Sequence, residues 1–114
     1  MPKNYICDMD GVLVFGSQVI PGANQFIRRL QQAGSKFLVL TNNSLYTARD
    51  LWVRLQRIGL EVPANAIYTS AMATAQFLAT QHPGGSAYVI GEAGLTTAMH
   101  DVGYIITDQQ PEYV

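Results

Sequence analysis

Ile6-Cys7-Asp8-Met9-Asp10-Gly11-Val12-Leu13 is the stretch that decides the fold of this chain. The short apolar run Tyr5-Ile6-Cys7 reads as a buried strand. At its C-terminal end stand two carboxylates one residue apart, followed at once by glycine. In an open α/β sheet, the crevice outside the carboxyl ends of the strands is where ligands bind. Two acidic groups beside such a crevice repel each other and lose solvation, so a cation nearby is expected to keep both ionised. Hard oxygen ligands of this kind suit Mg2+. The pair therefore points to metal-assisted chemistry on an anionic ligand.

Outward from this stretch, apolar strands alternate with amphipathic helices. After Pro21-Gly22, the residues Ala23, Phe26, Ile27, Leu30 and Ala33 recur at helical spacing, and Gly34 closes the segment. Phe37-Leu38-Val39-Leu40 is an unbroken apolar strand ending at Thr41-Asn42-Asn43. Ala48, Leu51, Trp52, Leu55 and Ile58 predict a second helix stopped by Gly59, with Thr47 or Ser44 as its cap. Ala66-Ile67-Tyr68 predicts a third strand, leading through Thr69-Ser70 into a helix that carries Ala71, Thr74, Ala75 and Leu78 on one face. His82-Pro83-Gly84-Gly85-Ser86 breaks the chain. A strand is expected over Ala87-Tyr88-Val89-Ile90, then a helix with Leu95, Ala98, Met99 and Val102, ended by Gly103. Tyr104-Ile105-Ile106 opens one more strand, and the closing Glu112-Tyr113-Val114 reads as the start of another. Strands and helices in this order imply β-α units and a parallel sheet.

Composition bounds the function. Apolar residues make up 48% of the 114 and charged residues 13%, enough for a packed core and too few charges for disorder. Net charge is -1 without a basic stripe, so no nucleic-acid surface is expected. No apolar stretch approaches the ~20 residues that span a bilayer. Asp8 and Asp10 interrupt the only candidate for a signal peptide. The single cysteine, Cys7, fits a reducing cytoplasm.

Asp8 is the expected nucleophile, since a carboxylate can attack phosphorus and split one hard displacement into two easier ones. Asp10 is placed to give a proton to the leaving oxygen and later take one from water. Thr41 offers a hydroxyl to phosphate oxygens, and the Asn42-Asn43-Ser44 turn offers backbone N–H groups ahead of a helix N-terminus. Taken alone, Thr41 and Asn42 read as a plain capping turn; the acidic pair on a neighbouring strand is what turns them into candidates. Gly91-Glu92-Ala93-Gly94 lacks the full dinucleotide-loop spacing and reads as a turn with a helix cap. His82 and His100 read as solvent-facing, and Val14 to Ile20 as a hairpin or a small flap.

Asp8-Met9-Asp10-Gly11-Val12-Leu13 resembles the first motif of the haloacid dehalogenase superfamily, and Leu40-Thr41-Asn42-Asn43-Ser44 resembles its second. Tyr68-Thr69-Ser70-Ala71-Met72-Ala73-Thr74-Ala75 and Ala87-Tyr88-Val89-Ile90-Gly91-Glu92 narrow the resemblance to the NagD-like phosphatases, along nearly all of the chain. It implies a Rossmann-like α/β core with a parallel sheet over residues 1–83 and the beginning of an inserted α/β cap domain over 84–114. It also implies hydrolysis of a small nucleotide or sugar monophosphate, with Asp8 as nucleophile, Asp10 as general acid/base, and Thr41 and Asn42 on the phosphate. Mg2+ would take the Asp8 carboxylate and the Asp10 main-chain carbonyl.

The family's third motif is a lysine and its fourth an acidic pair, both beyond the cap. Here the lysines are Lys3 and Lys36, and the last acidic residues, Asp101, Asp108 and Glu112, fall in the cap-like portion. Phosphoryl transfer depends on positioning and charge stabilisation, so turnover by these 114 residues alone is not expected. The alternatives are an inactive fragment that binds phosphate or a partner, and a receiver-type phospho-accepting domain. Thr41 and Tyr68-Thr69 at the later strand ends, where a receiver needs an acceptor Asp, argue against the last. Tyr5-Ile6-Cys7 is expected to form an apolar edge prone to self-association. The cap-like piece is expected to be too short to close a core of its own.

Overall fold

In the computed structural model, which describes residues 3–114, the elements run β1 (Tyr5–Asp8), β2 (Val14–Phe15), β3 (Gln18–Val19), α1 (Ala23–Gln32), β4 (Phe37–Thr41), α2 (Ala48–Arg57), β5 (Ile67–Thr69), α3 (Ser70–Gln81), β6 (Ser86–Ala87), α4 (Ala93–Asp101) and β7 (Ile105–Ile106). A three-residue 3-10 turn, Ala64–Ala66, precedes β5. The main sheet has the order β1-β4-β5, with β1 and β4 parallel and Tyr5 opposite Phe37. Residues 14–19 form the antiparallel hairpin β2-β3, pairing Val14 with Val19.

Three helices end on the same device, and each was marked by its glycine. After α1, Gly34 N–H donates to Gln31 O and Ser35 N–H to Leu30 O. After α2, Gly59 donates to Gln56 O and Leu60 to Leu55 O; after α4, Gly103 donates to His100 O and Tyr104 to Met99 O. These are paired Schellman bonds, which need a left-handed residue just past the cap, a conformation that costs glycine nothing. The three glycines have φ of 71°, 95° and 87°. In two of the three, the flanking pair is also buried: Leu55 with Leu60, and Met99 with Tyr104.

The chain divides into two compact units. The first comprises Met1–Thr41 and Ala48–Tyr68. Its buried side chains include Met9, Leu13, Val14, Ile27, Leu30, Val39, Leu51, Leu55, Leu60 and Val62. Helix α1 buries Ala23, Ile27 and Leu30, one face at i, i+4 and i+7. Its outer side is tied to the link after α2. Asn24 Nδ2 donates to Gly59 O, Glu61 N–H donates back to Asn24 Oδ1, and Arg28 forks onto Glu61. Hydrogen bonding to the guanidinium holds the Glu61 carboxyl below its usual range. Both groups stand in solvent, so the pair adds little to stability. Trp52 Nε1 donates to Val62 O and fastens α2 to the same link.

The second unit comprises Asn42–Thr47 and Thr69–Val114. Its core is Ala71, Ala75, Ala87, Ala98, Met99 and Tyr104. Two of these residues come from α3, so the segment after residue 83 closes its core with α3 rather than by itself. Thr69 caps α3 by accepting from Met72 N–H at 3.2 Å. Strand β6 pairs in parallel with β7, Ser86 opposite Ile105. The expected strand Ala87-Tyr88-Val89-Ile90 is shorter than its composition suggested. Regular pairing stops at Ala87, Tyr88 N–H turns to Tyr113 O, and Ile90 is solvent-exposed. A strand persists only as far as its partner, and β7 is two residues long. The closing residues supply a single bridge, Ala87 to Tyr113, instead of a strand.

Tyr104 carries a pH prediction for this unit. Its hydroxyl lies 2.6 Å from His82 O and 3.1 Å from Leu78 O, tying β7 to the end of α3. Burial, then Tyr113 and Glu112, push its phenol above the ordinary value. A raised pKa in the folded state gives stability that is complete below the unfolded phenol's value and disappears as pH rises through the folded one. Alkaline titration followed by phenolate absorbance is expected to show one of the six tyrosines ionising late, together with loss of unit-two structure. Loss of unit-two structure without a late-ionising phenol would contradict this.

Candidate active site

The two carboxylates stand at the end of β1 because of what lies between and after them. Asp8 and Asp10 are exposed, whereas Met9 is buried, as are Leu13 and Val14. Alternation along an extended chain sends neighbours to opposite faces, so anchoring Met9 turns both acids outward. The Met9 carbonyl then receives the N–H groups of Val12, Leu13 and Val14 at 3.3, 3.0 and 3.2 Å, and Gly11 N–H donates to Val14 O at 2.8 Å. This winds residues 9–14 into a tight turn, with Gly11 at φ 80°. Met9 N–H also donates to Asp8 Oδ1 at 2.8 Å, which fixes the Asp8 side chain and leaves Oδ2 outside that bond. The expected desolvation of the pair is not found: both carboxylates face solvent. Cys7, one residue back, is half-buried, and burial raises its thiol pKa.

Register brings the second strand end alongside. Asp8 lies opposite Leu40 in the parallel β1-β4 pair, so Thr41 ends β4 one residue beyond that level. Both carboxyl ends therefore open on the same edge of one sheet. Thr41 is buried, and among the described residues no buried side-chain nitrogen or oxygen lacks a partner. Asn42 follows it in the chain, is exposed, and belongs with residues 43–47 to the second unit. There the Asn43 side chain accepts from Leu45 N–H at 3.0 Å, and Ser70 Oγ donates to Asn42 O at 3.1 Å.

Sequence reasoning named the four polar candidates and missed what holds them. Met9 reads as one more apolar residue, although its place between two acids is the signal for an inward anchor. Ser70 reads as a helix-start residue, and its grip on Asn42 O joins positions 28 apart, beyond any local pattern.

Oxygen donors such as these fit Mg2+, which keeps several waters and is held by one or two carboxylates plus substrate phosphate. Among the described residues no group of three or more His, Cys, Asp or Glu side chains is placed to hold a metal by itself. The donor set is thus the open, partial kind that magnesium accepts, rather than an all-protein cage.

Known proteins resemble the chain along nearly all of its length. Residues 5–105 match the family model described as haloacid dehalogenase-like hydrolase. The chain is 52% identical over 111 residues to a dihydroxyacetone phosphatase of Corynebacterium glutamicum, covering 97% of this chain and 40% of that protein. It is 43% identical over 112 residues to the ribonucleotide monophosphatase NagD of Escherichia coli, covering 98% and 44%. The solved structure of NagD from E. coli K-12 superposes with a TM-score of 0.90 at 42% identity, over 97% of this chain and 44% of that one. The chain therefore spans about two fifths of the length of the curated relatives it matches.

Proposed function

Because the chain belongs to the haloacid dehalogenase-like hydrolases, we propose that it carries the nucleophile and phosphate-binding motifs of a Mg2+-dependent phosphomonoester hydrolase. The observation that carries this is the turn at the end of β1. A buried Met9 holds two exposed carboxylates level with the end of the parallel neighbour that bears Thr41. The substrate class is a small nucleotide or sugar monophosphate, in keeping with the names of the relatives. Residues 1–83 belong to the catalytic core and 84–114 begin the cap. The setting is cytoplasmic, in keeping with the single cysteine, Cys7.

Asp8 supplies the oxygen that attacks phosphorus, breaking the bond to the ester oxygen and leaving an aspartyl-phosphate. Asp10 protonates the departing oxygen, then takes a proton from the water that cleaves the acyl phosphate. That second displacement frees Asp8 and inorganic phosphate. The Thr41 hydroxyl and the Asn42 amide donate to the non-bridging oxygens. When bound, Mg2+ held by the Asp8 carboxylate and the Asp10 carbonyl would offset the negative charge of nucleophile and phosphate together.

The lysines are Lys3 and Lys36, so turnover by these residues alone is not expected, and the same fact favours a second reading as a phosphate-binding piece without turnover. One assay separates them: Mg2+-dependent phosphate release from an aryl phosphate. Release that stops on chelation supports the hydrolase, and binding of phosphate without release supports the second reading.

Self-association is also part of the proposal. Strand β1 ends the sheet, and Ile6 on it is 72% exposed. An apolar end strand with open backbone groups is a template for a second copy. Sedimentation velocity across a concentration series is expected to show reversible dimers or larger species. A concentration-independent monomer would remove this part.

A further inference from the structure

We propose that Gly94 is a positioning residue for the phosphate-binding turn, and that the first turn of α4 is the seat on which the 42–47 loop rests. This deepens the phosphatase reading and rests on it. Gly94 is buried in the first turn of α4. A Cβ added there would overlap the carbonyl oxygens of Ser44 and Tyr46 and stand 2.9 Å from the Tyr46 carbonyl carbon. All three atoms are backbone, so none can swing aside as a side-chain tip would.

The glycine is not there for its conformational freedom. It lies within the helix and is not among the glycines with positive φ. Alanine is the better helix former, so helix propensity alone would favour replacing it. What glycine gives is contact distance: the helix lies directly against the loop backbone. Gly91 makes the contrast. A Cβ there meets the flexible side chain of Leu95 at 3.3 Å, which can give way.

The seat completes a clamp. Ser70 Oγ holds Asn42 O at one end of the loop, the Asn43 side chain holds Leu45 N–H inside it, and α4 bears on Ser44 and Tyr46 at the other end. Asn42, the proposed phosphate contact, is thereby fixed by residues that do not touch the phosphate. Donors to an anion are effective only when held in place. A displacement of about 1 Å is enough to cost up to ~100-fold in function.

The test is amide NMR on the full chain, titrated with inorganic phosphate, for the wild type, Gly94→Ala and Gly91→Ala. Wild type is expected to show residues 42–44 and residues 94–96 shifting with one common affinity. Gly94→Ala is expected to shift the signals of residues 42–47 before any phosphate is added, to speed their hydrogen exchange, and to weaken phosphate binding about tenfold. Gly91→Ala is expected to change neither. An unmoved loop in Gly94→Ala overturns the proposal, and so does a moved loop with unchanged phosphate affinity. Should Gly94→Ala lose its fold, the wild-type titration decides: shifts at residues 94–96 support the seat, and shifts confined to residues 41–44 overturn it. A wild type indifferent to phosphate overturns the phosphate reading itself, and the positioning role with it. That failure shows in the wild type, whereas failure of the seat alone shows only beside a wild type that binds.

Discussion

Replacing Asp8 by Asn is expected to abolish Mg2+-dependent phosphate release in any form of the chain that turns over, by a factor on the order of 10^4 or more, the scale seen when a covalent nucleophile is removed. An amide oxygen is a poor nucleophile and cannot give the same acyl phosphate, and the neutral side chain is a weaker ligand for a divalent cation. The fold should survive, for two reasons. Asp8 is exposed, so no buried charge or cavity changes. An asparagine Oδ1 can still accept the Met9 N–H that Asp8 accepts now at 2.8 Å. Phosphate release and far-ultraviolet circular dichroism, measured side by side, check both halves. Retained activity would remove Asp8 as the nucleophile; loss of structure would remove the claim that its role is chemical.

The second large effect is on stability. Met99→Ala is expected to destabilise the second unit by roughly 2–5 kcal/mol, the range for large-to-small changes at buried sites. Met99 is 2% exposed in a core whose other buried members are Ala71, Ala75, Ala87, Ala98 and Tyr104, with Leu78, Val89 and Leu95 among the side chains packed against it. Met99→Leu keeps the volume and should cost under about 1.5 kcal/mol. Urea unfolding followed by amide signals from α3 and α4 checks this, and equal midpoints for the two variants would contradict it.

The two outcomes draw on different levels of legibility. Helices were readable because their signals are local: apolar spacing within one segment, and a glycine placed to close the Schellman bonds after α1, α2 and α4. The central sheet was readable because β1 and β4 are nearly continuous apolar runs, and the acids and Thr41 at their ends were named from the same runs. Strand β6 was less readable. Val89 and Ile90 look like strand residues, yet pairing depends on a partner some twenty residues later, and that partner has only Ile105 and Ile106 to give.

The site shows the same division. Asp8, Asp10, Thr41 and Asn42 carry recognisable chemistry and were picked out by type and spacing. Their exposure was misjudged, because the inward turn of Met9 and the wrapping of residues 12–14 around its carbonyl are set by packing. Ser70 and Gly94 carry none of the proposed reaction chemistry, and only the fold brings them to the 42–47 loop. Gly94 did leave one trace in the sequence, a poor helix former in the opening turn of a helix, which makes sense once the loop backbone lies against it.

The most direct test of Asp8 as the phosphoryl acceptor is to mix a form of the chain that turns over with Mg2+ and an aryl phosphate, quench in acid, and map any added phosphoryl group by mass spectrometry. The predicted result is one phosphoryl group on the peptide containing Asp8, labile to hydroxylamine and absent in Asp8→Asn. A label on any other residue, or phosphate release that leaves the Asp8 peptide unlabelled, would contradict it.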